Sequence, residues 1–268
     1  MKKIGALIPV RLASERLPGK ALADIAGRPM IAHLLDRVAA SRFIRDRKDV
    51  VVCTTTAASD DPLEAAVLAE GCSVFRGSID DIIKRFGDAM AAFGFDAVIQ
   101  ADGDDPLSAT ECMDATTAAL LADPALDIVT MRGLPLGCAT KSFTRVAMEK
   151  VLAAYRTERN DTGFIYFFTR SGLCRHLDLE NSDPALRHDT ARLTLDYEAD
   201  LELFRAIFTA LYRPGKLFGL AETVAFLNAH ADLASSNLAV QKEYWERTAE
   251  KAQLAYSDLQ GQIQKISV

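Results

Sequence analysis

A chain of 268 residues with 49% hydrophobic and 25% charged residues has enough apolar material for one large α/β domain, or one domain with a small appendage. Its formal net charge of −6 argues against a protein that coats nucleic acid, because such affinity rests on a basic excess. Cys53, Cys72, Cys112, Cys138 and Cys174 include no Cys-x-x-Cys pair, so neither a disulfide framework nor a zinc cluster is expected.

The apolar run Ile4 to Val10 is too short for a signal-peptide core. No stretch approaches the roughly 20 apolar residues that span a bilayer, so the expectation is a cytoplasmic protein without a membrane partner. The same run reads as a strand buried on both faces of a parallel sheet. After the polar loop 11–20, Met30, Ile31, Leu34, Leu35 and Val38 recur at helical spacing, predicting a helix over 29–40. A second strand is expected at 50–54. A helix at 62–70 follows, with Asp60 or Asp61 as cap and Pro62 in its first turn. Residues 73–75 read as extended, and Ser78 with Asp81 suggests a capping box for the next helix.

Strand 96–100 ends at the acidic loop ADGDDPL, and a helix at 109–121 and a strand at 127–131 continue the alternation. That alternation predicts α/β layers around a mostly parallel sheet, with ligands beyond the carboxyl ends of its strands. Residues 132–190 are less regular, with a helix near 143–154 and a strand-like stretch at 163–168. They are expected to form an acceptor-side or dimerisation insertion within a domain spanning 1–220. Arg192 to Asp196 reads as a strand and 198–211 as an amphipathic helix. Residues 221–268 read as a helical extension packed on the domain.

Four segments carry chemistry. Loop 11–20 sets Arg11, Arg16 and Lys20 after a buried strand, and Pro18-Gly19 allows a tight turn that exposes backbone amides. Three cations with amide donors suit a triphosphate; the same residues would equally serve a solvated basic loop. Asp102, Asp104 and Asp105 crowd one strand end, as a Mg²⁺ site or as a polar turn. Asp196 ends another strand and either caps the next helix or completes a metal site with Asp104. Arg76, Gly77 and Ser78 lie where small residues and amides would approach a base or ribose, and Arg85 would face phosphates. For these residues the alternative is a solvated face. His33, His176, His188 and His230 have no metal-ligand spacing, and His33 reads as a helix-surface or packing residue.

Together these segments resemble the cytidylyltransferases that activate 3-deoxy-manno-octulosonate and acylneuraminate sugars, and most closely their spore coat polysaccharide biosynthesis (SpsF-like) branch. The likeness rests on IPVRLASERLPGKAL at the N-terminus, FRGSIDDIIKRF (75–86), ADGDDPL (101–107), RLTLDYEADLEL (192–203) and NLAVQK (237–242). Glu15 stands where a small hydroxyl residue is usual, and Lys141 where an acidic residue is usual. RTERNDTGFI (156–165) departs from the branch's Arg-Glu-His pattern. The resemblance implies a three-layer Rossmann-like nucleotidyltransferase fold with a mostly parallel central sheet, and a homodimer. It also implies transfer of CMP from CTP to a small anionic acceptor, a sugar acid or sugar phosphate, in surface polysaccharide synthesis. Asp104 and Asp196 then become the Mg²⁺ ligands and, with Arg11 and Lys20, the catalytic set. Arg11, Arg16, Lys20, Arg76, Gly77, Ser78 and Arg85 become the nucleotide-binding set. Two other readings stand beside it: the same fold acting on another nucleoside triphosphate or a non-sugar phosphate, and a non-catalytic nucleotide-binding partner.

Overall fold

The computed structural model describes residues 2–157, 159–160, 162–252 and 254–266. The chain opens with β1 (Ile4–Pro9), a small hairpin of β2 (Asp24–Ile25) and β3 (Arg28–Pro29), and α1 (Met30–Ala39). There follow β4 (Val50–Thr55), α2 (Asp61–Ala69), β5 (Ser73–Gly77), α3 (Ile82–Phe93), β6 (Ala97–Gln100) and α4 (Thr110–Ala122). Next come β7 (Ile128–Arg132), β8 (Lys141–Thr144), α5 (Arg145–Ala154), α6 (Tyr166–Thr169) and β9 (His176–Glu180). The C-terminal third holds α7 (Glu198–Leu211), α8 (Leu220–Ala229), α9 (Ala231–Ala234) and α10 (Gln241–Lys251), then the hairpin of β10 (Leu254–Ser257) and β11 (Ile263–Ile266).

Seven strands form one sheet in the order β5-β4-β1-β6-β8-β7-β9. Only β8 runs against the others, pairing antiparallel with β6 and β7. Successive side chains of a strand point to opposite faces, and β1 shows the result. Ala6 and Ile8 join a core with α1, α2, α7 and α8, whereas Leu7 joins a second core with α3, α5 and α6. Three layers follow directly from that alternation. From β1 the chain moves outward through β4 and β5, then returns to β6 on the other side of β1. This reversal leaves a crevice at the carboxyl ends of β1 and β6.

The structure corrects several local expectations. Segment 192–196 is extended but is no strand of the sheet. Its main chain is held by two loops instead, through Leu193 N to Leu136 O and Leu195 N to Asp104 O, both 2.8 Å. The apolar stretch 163–168 is a turn leading into α6, with Phe167 and Phe168 fully buried; a short apolar run does not distinguish a strand from a buried helical turn. The cap of α3 is Asp81, whose carboxylate accepts from Lys84 N at 2.9 Å, and Ser78 Oγ accepts from Asp81 N. Residues 132–190 contribute β8 and β9 to the central sheet itself. The tail expected to be helical ends in the β10–β11 hairpin, which seals the second core with Leu254 and Ile266.

Candidate active site

Loop 11–20 is shaped by a buried carboxylate. Asp60 accepts from Leu12 N at 2.8 Å, from Thr54 Oγ1 at 2.9 Å and from both N and Oγ1 of Thr55. Burial alone would raise this carboxyl; the Thr55 and Leu12 donors outweigh it and hold the group below its ordinary value. Asp60 therefore pins the loop to β4, and its side chain accepts no capping hydrogen bond from α2. At the other end Gly19, with φ +73°, bonds its N–H to Leu12 O at 3.1 Å, a left-handed turn that suits a residue without Cβ. Lys20 is thereby aimed back across the end of the sheet.

Its ammonium meets both predicted carboxylates. Lys20 Nζ lies 2.7 Å from Asp104 Oδ2, 2.9 Å from Asp196 Oδ1 and 2.7 Å from Leu195 O. Arg16 also donates to Asp196 Oδ1. Two features bring these distant segments together. Gly103 passes so close to the end of β1 that an added Cβ would lie 2.3 Å from Pro9 O, and the Leu195–Asp104 main-chain bond sets Asp196 beside it. Burial works to raise the Asp104 carboxyl, but Lys20 and Arg16 hold it below its usual range. Burial likewise works to lower the Lys20 ammonium, and the two carboxylates raise it instead. Neighbouring Asp105 has the opposite balance. Burial and the charges of Asp104 and Asp102 push its carboxyl well above the ordinary value.

Behind Asp196 stands a fully buried network. Arg192 contacts Asp196 Oδ2 at 3.2 Å and Asp200 Oδ1 at 3.1 Å. Asp200 also accepts from the backbone N–H groups of Asp196 and Tyr197, both at 2.9 Å, closing the start of α7. Asn237 Nδ2 completes the set by donating to Asp200 Oδ1 at 2.7 Å and to Arg192 O at 2.9 Å. Asp196 is thus oriented by groups that do not reach solvent, the arrangement that fixes a ligating carboxylate.

These residues open into a cleft of about 600 Å³. Arg11, Arg16, Lys20, Arg85, Asp104 and Asp196 all line it. Arg76, Gly77 and Ser78, expected at a base or ribose, are not among the residues lining this cleft. Arg76 instead ties β5 to α2 through Asp61 at 2.6 Å and Glu64 at 2.8 Å, and donates to Thr55 O and Ala57 O. Ser78 offers its carbonyl to Arg85. Lys141 and Asp102 both line the cleft as an ion pair, and the other Asp102 oxygen accepts from Gln100 Nε2. Glu158 and Asp161 of the atypical 156–165 segment lie outside the described residues; Thr162 to Tyr166 form part of the cleft wall.

Of two further walls, one lies in the segment 132–190 expected on the acceptor side, and the other, on α10, is absent from the sequence reading. Leu134 to Gly137 approach because Gly137, at φ +89°, has no Cβ to strike Leu193 O. Tyr244, Trp245, Arg247, Thr248 and Lys251 of α10 form the other wall. Steps of three then four residues through Arg247, or four then three through Thr248, carry Tyr244 to Lys251 along one helix face, a signal available in the sequence.

Two carboxylates with room beside them match the way Mg²⁺ is held, by one or two protein oxygens with substrate phosphates filling other positions. Among the described residues no group of three or more His, Cys, Asp or Glu side chains could hold an ion. Among them, too, no helix is long and apolar enough to cross a membrane.

The chain matches the family model described as Cytidylyltransferase over residues 5–171. It is 28% identical to the spore coat polysaccharide biosynthesis protein SpsF of Bacillus subtilis, over 88% of this chain and 98% of that protein. It is 29% identical to the 3-deoxy-manno-octulosonate cytidylyltransferase of Geobacter metallireducens, over 77% of this chain and 76% of the relative. The solved structure of a cytidylyltransferase from Leptospira borgpetersenii superposes with a TM-score of 0.78 at 25% identity, covering 88% of this chain and 98% of the other. With a fold, a cleft and a family model in agreement, this chain belongs to the cytidylyltransferase family.

Proposed function

We propose that the chain transfers CMP from CTP to an acidic sugar or phosphorylated acceptor, with Mg²⁺ held by Asp104 and Asp196, in surface polysaccharide biosynthesis. The observation that carries this reading is the meeting of those two carboxylates at Lys20 Nζ, beside a loop that adds Arg11 and Arg16. The names of the relatives support cytidine as the base and a sugar acid as one acceptor class.

In the proposed reaction an acceptor oxygen attacks the α-phosphorus of CTP in line. The bond from that phosphorus to the bridging oxygen breaks, pyrophosphate leaves with the electron pair, and the proton of a hydroxyl acceptor passes to solvent. Mg²⁺, when bound, supplies charge neutralisation at the phosphate oxygens. Lys20 and Arg16 orient the triphosphate, and the Arg192–Asp200–Asn237 network keeps Asp196 from turning. Positioning and preorganised charge therefore carry the catalysis, with no protein nucleophile. A homodimer belongs to the same proposal and is checked by sedimentation.

The test is a panel of CTP, GTP, ATP and UTP with Mg²⁺ and a set of sugar acids and sugar phosphates. Pyrophosphate release is followed and products are read by mass. CTP-dependent release with a CMP-containing product is expected. A folded protein that releases pyrophosphate from none of the nucleotides with any acceptor sinks the reading, and release from another nucleotide alone reassigns the base.

A further inference from the structure

Helix α10 turns an unusual face toward the body of the protein. A surface helix ordinarily buries an apolar stripe, yet none of its residues is fully buried. The side chains it presents to the cleft include Tyr244, Arg247, Thr248 and Lys251. Tyr244 anchors the helix, lying against the Arg192 guanidinium at 4.4 Å and the Arg16 guanidinium at 5.6 Å. The two cations one turn and two turns further on reach across to one carboxylate. Arg247 lies 3.0 Å from Glu15 Oε2 and Lys251 lies 2.7 Å from the same oxygen. Glu15 sits in loop 11–20 and is 63% exposed. Ion pairs this exposed add little to stability, so they do not explain why cations line this wall.

Charge in the cleft offers an explanation. Arg16 and Lys20 are already engaged by Asp196 and Asp104. A triphosphate carries several negative charges and needs further cations, of which guanidinium and ammonium groups are the usual suppliers. We infer that Arg247 and Lys251 grip the triphosphate, and that Glu15 is a carboxylate placeholder that holds both over loop 11–20 until phosphate oxygens replace it. The inference rests on the nucleoside triphosphate reading above and extends the binding set to a helix beyond the matched family model, which ends at residue 171.

Calorimetric titration of the full chain with CTP and with CMP, both with Mg²⁺, tests it. The R247Q/K251Q double variant should bind CTP about tenfold more weakly, with CMP changed about twofold or less. Removing the competitor in Glu15→Gln should act in the opposite direction and tighten CTP about threefold. Unchanged CTP affinity in R247Q/K251Q, in a background where the natural chain binds CTP, overturns the inference and leaves the proposed reaction standing. Weaker CTP binding in Glu15→Gln also overturns it, because Glu15 would then support the site rather than occupy it. A natural chain that binds no nucleoside triphosphate overturns both.

Discussion

The two sides of the cleft hold arginines against carboxylates in contrasting ways. On one side, Arg192, Asp200 and Asn237 are fully buried behind Asp196. On the other, Glu15, Arg247 and Lys251 meet in solvent. Removing one member of a buried pair strands a charge without water, whereas an exposed pair exchanges its partners at little cost. On the proposed reading, the first side keeps a ligating oxygen still and the second lets go.

The sharpest way to break this comparison is Asp200→Ala. It leaves Arg192 facing Asp196 alone and removes two backbone caps, so a loss of about 3–5 kcal/mol in urea unfolding is expected. A change under about 1 kcal/mol would mean that the interior network is not the rigid side. Asp104→Asn comes next. With the fold retained by circular dichroism, pyrophosphate release should fall at least about a hundredfold, near 2.7 kcal/mol of barrier. Full turnover would remove Asp104 from the metal site.

A smaller effect comes from pH. His33 is buried in α1, its Nε2 2.8 Å from Ile25 O and its ring 4.4 Å from that of Phe208. Burial holds its imidazole below the ordinary value of 6.5. The unfolded chain thus binds the proton first as pH falls, so stability is full above about 6.5 and declines below it through the folded pKa. The melting temperature should drop between pH 7.5 and 5.5, and drop less in His33→Gln. An equal drop in both assigns the acid sensitivity elsewhere. The smallest effect belongs to Glu15→Gln, whose melting temperature should match that of the natural chain. A marked fall would place Glu15 with the rigid side.

The place where Lys20 meets Asp104 is legible in the sequence because it follows short-range rules. An apolar run predicts β1, and a basic loop with Pro18-Gly19 directly after it leads to Lys20 at the sheet end. Asp104 stands in the loop beyond β6, again a local feature. What the sequence leaves dark depends on long-range partners. Arg76 stands beside small residues like a ligand-binding residue, yet Asp61 and Glu64, three apart on one face of α2, claim it. Strand β8 enters between β6 and β7 against the direction of its neighbours, an order that alternation of strands and helices does not encode. The role of α10 was hidden because a polar helix reads as solvent-facing, and only its position over the cleft reverses that reading.

Trp245, the single tryptophan of the chain, is 47% exposed and sits on α10 at the cleft wall. Its indole emission therefore comes from one place, and that place is the wall that exchanges partners. Stopped-flow fluorescence of the unlabelled protein can time the arrival of each ligand at this wall, with no second fluorophore of its kind to obscure the trace.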